Sequence, residues 1–146
     1  LFTISLGFKL NIITYIGLLL FLLGFGIEII ADTQKTKFRA DPQNKDKFIT
    51  SGLWARSRHP NYFGEILLWF GIAVMCFPGL LTSVQIGETS LPVALCILLI
   101  SPIFTYVLLV YVSGVRMLEA RANIKWGNNS DYKKYKKETP RLLPKL

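Results

Sequence analysis

Apolar runs of membrane length alternate with short basic stretches along this chain. Residues 10–31, LNIITYIGLLLFLLGFGIEIIA, are almost continuously apolar. At about 1.5 Å per residue they reach across a hydrocarbon core of about 30 Å, which predicts a first membrane helix. A second run covers 61–80 and is expected to end at Pro78-Gly79. The third, LPVALCILLISPIFTYVLLVYV, covers 91–112, with Pro102 as a mid-span kink that neighbouring helices can accommodate. Leu1–Phe8 reads as the tail of an earlier apolar segment or a short lead-in. Gly17 and Gly24, a heptad apart, share a face suited to close helix packing, and Gly26 is a third candidate.

The polar connectors carry their own signals. Nothing breaks a helix through ADTQKTKFR before Asp41-Pro42, so the first helix is expected to run on past the membrane. Asp32, Lys35 and Arg39 then line one side at i, i+3 and i+7. Residues 42–52 predict a turn. After the third run, 113–126 read as an emerging amphipathic helix in which Glu119 lies within pairing reach of Arg116. Gly127, Asn128 and Asn129 stop it. Ser130-Asp131 is expected to cap a short helix bearing Tyr132 and Tyr135 before Pro140 and Pro144. The predicted architecture is an all-α polytopic membrane helical bundle: about three transmembrane helices plus a cytoplasmic amphipathic helix and C-terminal tail. It forms a single membrane domain over 1–146. The chain opens on Leu1 rather than Met, so it reads as the C-terminal part of a longer protein, and Leu1–Phe8 lacks the marks of a cleaved signal peptide.

Composition agrees. The sequence is 51% hydrophobic with a mean hydropathy of +0.40, too apolar for an ordinary soluble domain of this length. Its net charge of +8 is uneven: Lys9 is the only basic residue before Lys35, seven more fall in 35–58, and the tail carries the rest. Residues 78–90 have no Lys or Arg. Membrane topology explains that pattern without a nucleic-acid partner: the 32–58 loop and the C-terminus are cytoplasmic, and 78–90 lies on the other side. Cys76 and Cys96 sit in apolar runs and read as buried thiols. A single histidine with no Cys-x-x-Cys pattern gives no expectation of a metal site.

Candidate chemistry concentrates in residues 51–65, SGLWARSRHPNYFGE. Arg56, Arg58 and His59 could grip an anion. Pro60 fixes its own φ and disfavours helix at His59, so a helix should start at Pro60 or just after it. Its free amides and positive dipole end would lie beside those cations. Glu65 lies one turn inside, on the face of Asn61. The plainer reading has Arg56 and Arg58 as topological anchors and Asn61 as a cap. Glu28 and Asp32 share a face near the end of the first span, where Glu28 can snorkel to the interface.

Taken together, ADTQKTKFR, GLWARSRHPNYFGEILLWFG, SGVRMLEARANIKWG and DYKKYKKETPRLLP, in that order and spacing, resemble the C-terminal domain of membrane proteins related to steroid 5-alpha-reductase. The likeness covers 24–144. The same superfamily includes sterol reductases and isoprenylcysteine carboxyl methyltransferases, which share an RHPxY-type element and a tyrosine-bearing tail. The reductase resemblance implies NADPH bound on the cytoplasmic side, between the last helices and the tail. Asp32 and Arg39 match cofactor-contacting positions, and Asn61 and Glu65 match the reductases' NxxGE element, with Gly64 between them. Asn61 offers donor and acceptor to a carboxamide, and Glu65 accepts from an amide or a ribose hydroxyl. Lys35, Arg56, Arg58 and Arg121 are chosen for phosphates by charge, and Glu119 joins the cofactor set. Tyr132 and Tyr135 match tail aromatics and read as anchors. Asp32, Arg58, His59, Asn61 and Glu65 are expected to converge with Arg121.

Two features depart from the steroid reductases. Arg-His-Pro precedes Asn61, as in the methyltransferases, and the N-terminal half that polarises the substrate carbonyl lies outside this sequence. The first reading is therefore an integral-membrane oxidoreductase using NADPH to reduce a C=C bond (a CH-CH group) of a hydrophobic, lipid or steroid-like small molecule. The second is a methyltransferase using S-adenosylmethionine, with His59 and Tyr62 on the cofactor. The third is a non-catalytic membrane scaffold. The excess of Arg and Lys around the motif favours NADPH, and the intact Asn61, Gly64 and Glu65 weigh against a degenerate site.

Overall fold

The computed structural model describes residues 11–112 and 114–145. The readings of residues 1–10 and of Ser113 lie outside these. Every regular element among the described residues is helical. Helix α1 spans Ile12–Ala40 and opens on Asn11, whose side chain accepts from Thr14 N. As the unbroken sequence predicted, it continues beyond the apolar run and stops at Asp41-Pro42. A 3-10 turn follows at Pro42–Asn44 and another at Gly52–Ala55. Helix α2 spans Pro60–Gln85, and α3 spans Leu91–Val107. A π-helical turn at Leu108–Val112 leads on from α3, α4 spans Gly114–Trp126, and α5 spans Ser130–Glu138. Three helical stretches are long and apolar enough to cross a membrane, which makes this an integral membrane protein.

Two expectations about helix ends need correction. Pro78-Gly79 does not stop α2: both lie inside the helix, and Thr82 Oγ1 donates to Pro78 O at 3.0 Å. In hydrocarbon an early stop would strand backbone groups with no water to meet them. The true stop is Gly87, at φ +79, where Glu88 N reaches Ser83 O and Gly87 N reaches Val84 O in the left-handed glycine cap. Helix α5 is capped not by Ser130-Asp131 but by Asn129, whose side chain accepts from the amides of Asp131 and Tyr132. Asn129 is the residue just before the first helical φ/ψ, where a side-chain acceptor can reach those amides.

Glycines set the contact between α1 and α2, which run antiparallel. A Cβ on Gly64 would lie 2.6 Å from Gly24 O, and one on Gly71 would lie 2.5 Å from Phe21 N and 2.8 Å from Gly17 O. Each helix thus offers two glycines a heptad apart, and the pairs interlock, Gly17 with Gly71 and Gly24 with Gly64. Small residues on both sides let the backbones approach, the usual source of helix association in lipid. Gly26 has nothing within 4 Å and takes no part. This packing fixes the start of α2, with His59 and Asn61, against the end of α1, with Lys35 and Arg39.

Candidate functional site

The second 3-10 turn and the short non-helical segment that joins it to α2 have their polar groups met from both directions. On the α1 side, Trp54 Nε1 donates to Ala31 O at 3.0 Å and Leu53 N donates to Gln34 Oε1 at 3.0 Å. Gly52 adopts φ +61 with the Gln34 amide against it, a position that excludes a side chain. From the C-terminal side, Arg58 N donates to Pro140 O at 2.9 Å and Lys145 N to Arg56 O at 2.9 Å. Ser57 Oγ donates to Leu142 O at 2.8 Å, and Arg58 Nε donates to Thr139 O at 3.1 Å. The chain after α5 thus lies as a strap along residues 56–58.

The loop before the motif is held at the same end of the molecule. Trp126 Nε1 donates to Asp46 O at 2.7 Å, and Lys125 Nζ meets Lys45 O at 3.1 Å and Asp46 Oδ1 at 3.2 Å. Four rings close over it: Phe48 lies 5.2–5.7 Å from Trp126, Tyr132 and Tyr135, and Trp126 lies 6.0 Å from Tyr132. Tyr135 OH donates to Trp54 O at 2.6 Å. Burial pushes the hydroxyls of both Tyr132 and Tyr135 above the ordinary tyrosine range, so Tyr135 remains a donor at neutral pH.

These parts line a half-open cavity of about 150 Å³. Lys35, Arg39, Lys47, Arg58, His59 and Glu119 supply its charge and polarity, and Trp54, Phe48, Trp126, Tyr132 and Tyr135 supply aromatic wall. Arg58 Nη1 meets Glu119 Oε1 in a close ion pair, and His59 Nε2 lies 3.2 Å from the same oxygen. Glu119 therefore pairs with Arg58 and His59, and not with Arg116 as its spacing suggested. Arg116 is exposed on α4, where a local ion pair gains little. Lys35, Arg39 and Lys47 belong to no ion pair among the described residues, and Lys35 rests on the Trp54 ring at 5.2 Å. Four basic side chains, Lys35, Arg39, Lys47 and Arg58, share the lining with one carboxylate, Glu119, so the cavity wall carries a positive excess. A cleft of about 630 Å³ adjoins it and shares Lys47, Phe48 and Tyr135 as a common wall.

His59 is 6% exposed and stacks on Tyr62 with ring centroids 5.8 Å apart. His59 Nδ1 and Asn61 Oδ1 are both buried without a hydrogen-bond partner among the described residues. Asn61 lies in the first turn of α2 and does not cap it. His59 lines the cavity and Asn61 does not, so the His59 nitrogen is the one of these two atoms that a ligand in the cavity could meet.

The remaining sequence candidates divide. Asp32 on α1 and Glu65 on α2 lie within electrostatic reach of each other and of both Glu28 and Tyr62, and none of these four lines the cavity. Tyr62 joins the two groups: its ring stacks on His59 and packs against Gly114. Gly64 packs on Gly24 and Glu28, so its missing side chain serves helix contact. Arg56 and Arg121 are exposed and do not line the cavity. Reasoning from sequence missed Lys47, Phe48, Trp54, Ser57 and Trp126. The aromatic residues flanking the basic loop were a usable signal for three of them; Ser57 offered none.

A family model described as "Protein of unknown function (DUF1295)" matches residues 3–139, and the chain belongs to that family. Among curated proteins it is similar to "Steroid 5-alpha-reductase DET2" of Gossypium hirsutum, 39% identical over 59 residues, which are 40% of this chain. The aligned part spans 23% of that relative, under a quarter of its length. No solved structure matches the chain. The two matches support a steroid 5-alpha-reductase-like superfamily without singling out a branch.

Proposed function

We propose that this chain forms the cofactor-binding part of an integral-membrane, NADPH-dependent reductase acting on a C=C bond of a hydrophobic, lipid or steroid-like substrate, with its basic loop and C-terminal tail cytoplasmic. The observation that carries the reading is the surplus of positive charge in the cavity: Lys35, Arg39 and Lys47 form no ion pair among the described residues. A phosphate-bearing cofactor fits that donor set, since charge-assisted contacts to phosphate are the strong ones. The 150 Å³ cavity suits one end of a dinucleotide, and the adjoining cleft offers room for more. Similarity to a protein named steroid 5-alpha-reductase gives independent support.

In this reading Lys35, Arg39, Lys47 and Arg58 hold phosphates. Glu119 keeps Arg58 and His59 oriented, while His59 Nδ1 meets the ligand. Glu65 and Asp32 supply acceptors on the far side of Tyr62. The aromatic wall and the strap exclude water. When bound, the reduced nicotinamide supplies the hydride. The apolar surface of the helices gives a lipid-borne substrate its approach.

One observation favours a methyltransferase using S-adenosylmethionine: the His59–Tyr62 stack with its free Nδ1 needs no phosphate. The cavity's positive charge opposes it, because that cofactor carries a sulfonium cation. Replacing Lys35 and Arg39 together by Gln separates the two readings. NADPH binding should weaken at least about tenfold, at about 1.5–3 kcal/mol per charged contact, and the loss should shrink at high salt. Arg56→Gln, outside the cavity, should change little. Unaltered NADPH binding in the double variant would remove the basis for this assignment.

A further inference from the structure

We infer that the strap after α5, residues 139–145, is a positioning element of the cavity, and that Ser57 is the residue through which it sets His59. The inference rests on the reading above only in taking Arg58 and His59 as walls of a ligand site. Ser57 is fully buried at 0% exposure. Its hydroxyl makes two bonds of opposite sense: it donates to Leu142 O at 2.8 Å and accepts from His59 N at 3.2 Å. A hydroxyl is the smallest group that can do both at once. It thus joins the strap directly to the backbone of the residue whose ring faces the cavity.

The local backbone needs this link. His59 precedes a proline, is not helical (φ −138, ψ 62), and its own side chain makes no cap bond to α2. Its amide would otherwise be a buried orphan, which costs more than an ordinary hydrogen bond gains. The same strap takes the Arg58 amide through Pro140 O and the Arg58 Nε through Thr139 O. Arg58 and His59 then converge on a single oxygen of Glu119. Displacement of the strap therefore reaches both residues, and a ligand that engages them in turn favours the docked strap, since coupling between sites is reciprocal.

His59 is the only histidine in the sequence, which allows a site-specific test that needs no cofactor. Carbethoxylation of the full chain in detergent, followed by mass spectrometry, reads access to its ring. Ser57→Ala should speed modification about fivefold, the factor carried by one lost hydrogen bond. Ser57→Thr, which restores the hydroxyl, should return the rate to within about twofold of the wild type. Ser57→Cys, a weaker donor of similar size, should fall between and serves if the alanine variant fails to fold. A merely structural Ser57 would lower the melting temperature and leave the His59 rate in the folded protein unchanged. That outcome, or equal acceleration in the alanine and threonine variants, overturns the inference. Protection of His59 by NADPH is scored separately: its absence alongside a Ser57 effect counts against the reductase reading and leaves the strap's role standing.

Discussion

A single methyl group on α2 tests how the two long helices are held together. In Gly64→Ala the new carbon would sit 2.6 Å from Gly24 O and 2.7 Å from Glu28 N, whereas ordinary contact begins near 3.4 Å. Both neighbours are helix backbone, so no side chain can swing aside, and α1 and α2 must part by most of an ångström. Overpacking of this kind costs about 1–3 kcal/mol. Parting also loosens the second glycine pair, Gly17 with Gly71, so the upper half of that range is expected. Gly26→Ala is the matched control. It lies in α1 with nothing within 4 Å, and Ala there should gain up to about 1 kcal/mol of helix propensity. Thermal unfolding in one detergent should therefore rank Gly26→Ala at or above wild type and Gly64→Ala well below it. Gly24→Ala and Gly64→Ala load the same contact, so the double variant should cost less than the two single losses added. Equal melting of Gly64→Ala and Gly26→Ala would refute the interlocking-glycine account.

Further outcomes follow from the polar end. Removing the Tyr135 hydroxyl in Tyr135→Phe should cost about 1 kcal/mol through the lost bond to Trp54 O. Because burial raises the titration of Tyr135 and Tyr132 above the unfolded value, stability should be intact below pH about 10 and fall as pH rises beyond it. The phenylalanine variant should show a shallower alkaline fall in a melting series. The contacts from Lys125 and Trp126 to residues 45 and 46 place loop and tail at one end. Cysteines introduced at Asn44 and Asn128 should thus label from the same side of sealed vesicles, and opposite accessibility would contradict this arrangement.

Legibility in the sequence followed periodicity and local chemistry. The three apolar runs, the extension of α1 to Ala40, the start of α2 at Pro60 and the end of α4 at Trp126 each leave a local mark: a hydropathy window, a proline, a glycine-asparagine cluster. The pairing of Gly17 and Gly24 with a second helix was also readable from their spacing. Pro78-Gly79 was read as a stop and is not one, because a helix in hydrocarbon passes through a proline more readily than it ends at one. The π-helical turn at Leu108–Val112 left no mark in composition. Contacts across roughly eighty residues leave none either. The bonds from Ser57 and Arg58 to the strap, from Tyr135 to Trp54 and from Trp126 to Asp46 join segments whose own patterns do not mention each other. Charge alone nominated Arg56 and Arg121, which are exposed, and passed over Lys47, which lines the cavity.

The central claim is that the positive cavity between α1, α4 and α5 receives a phosphate-bearing nicotinamide cofactor. Equilibrium binding of NADPH, NADH and S-adenosylmethionine to the purified protein, side by side in one detergent, tests it most directly. The account predicts that NADPH binds tightest, NADH more weakly for want of one phosphate, and S-adenosylmethionine weakest, with the NADPH affinity falling as salt rises. Tight, salt-insensitive binding of S-adenosylmethionine together with no binding of NADPH would contradict it.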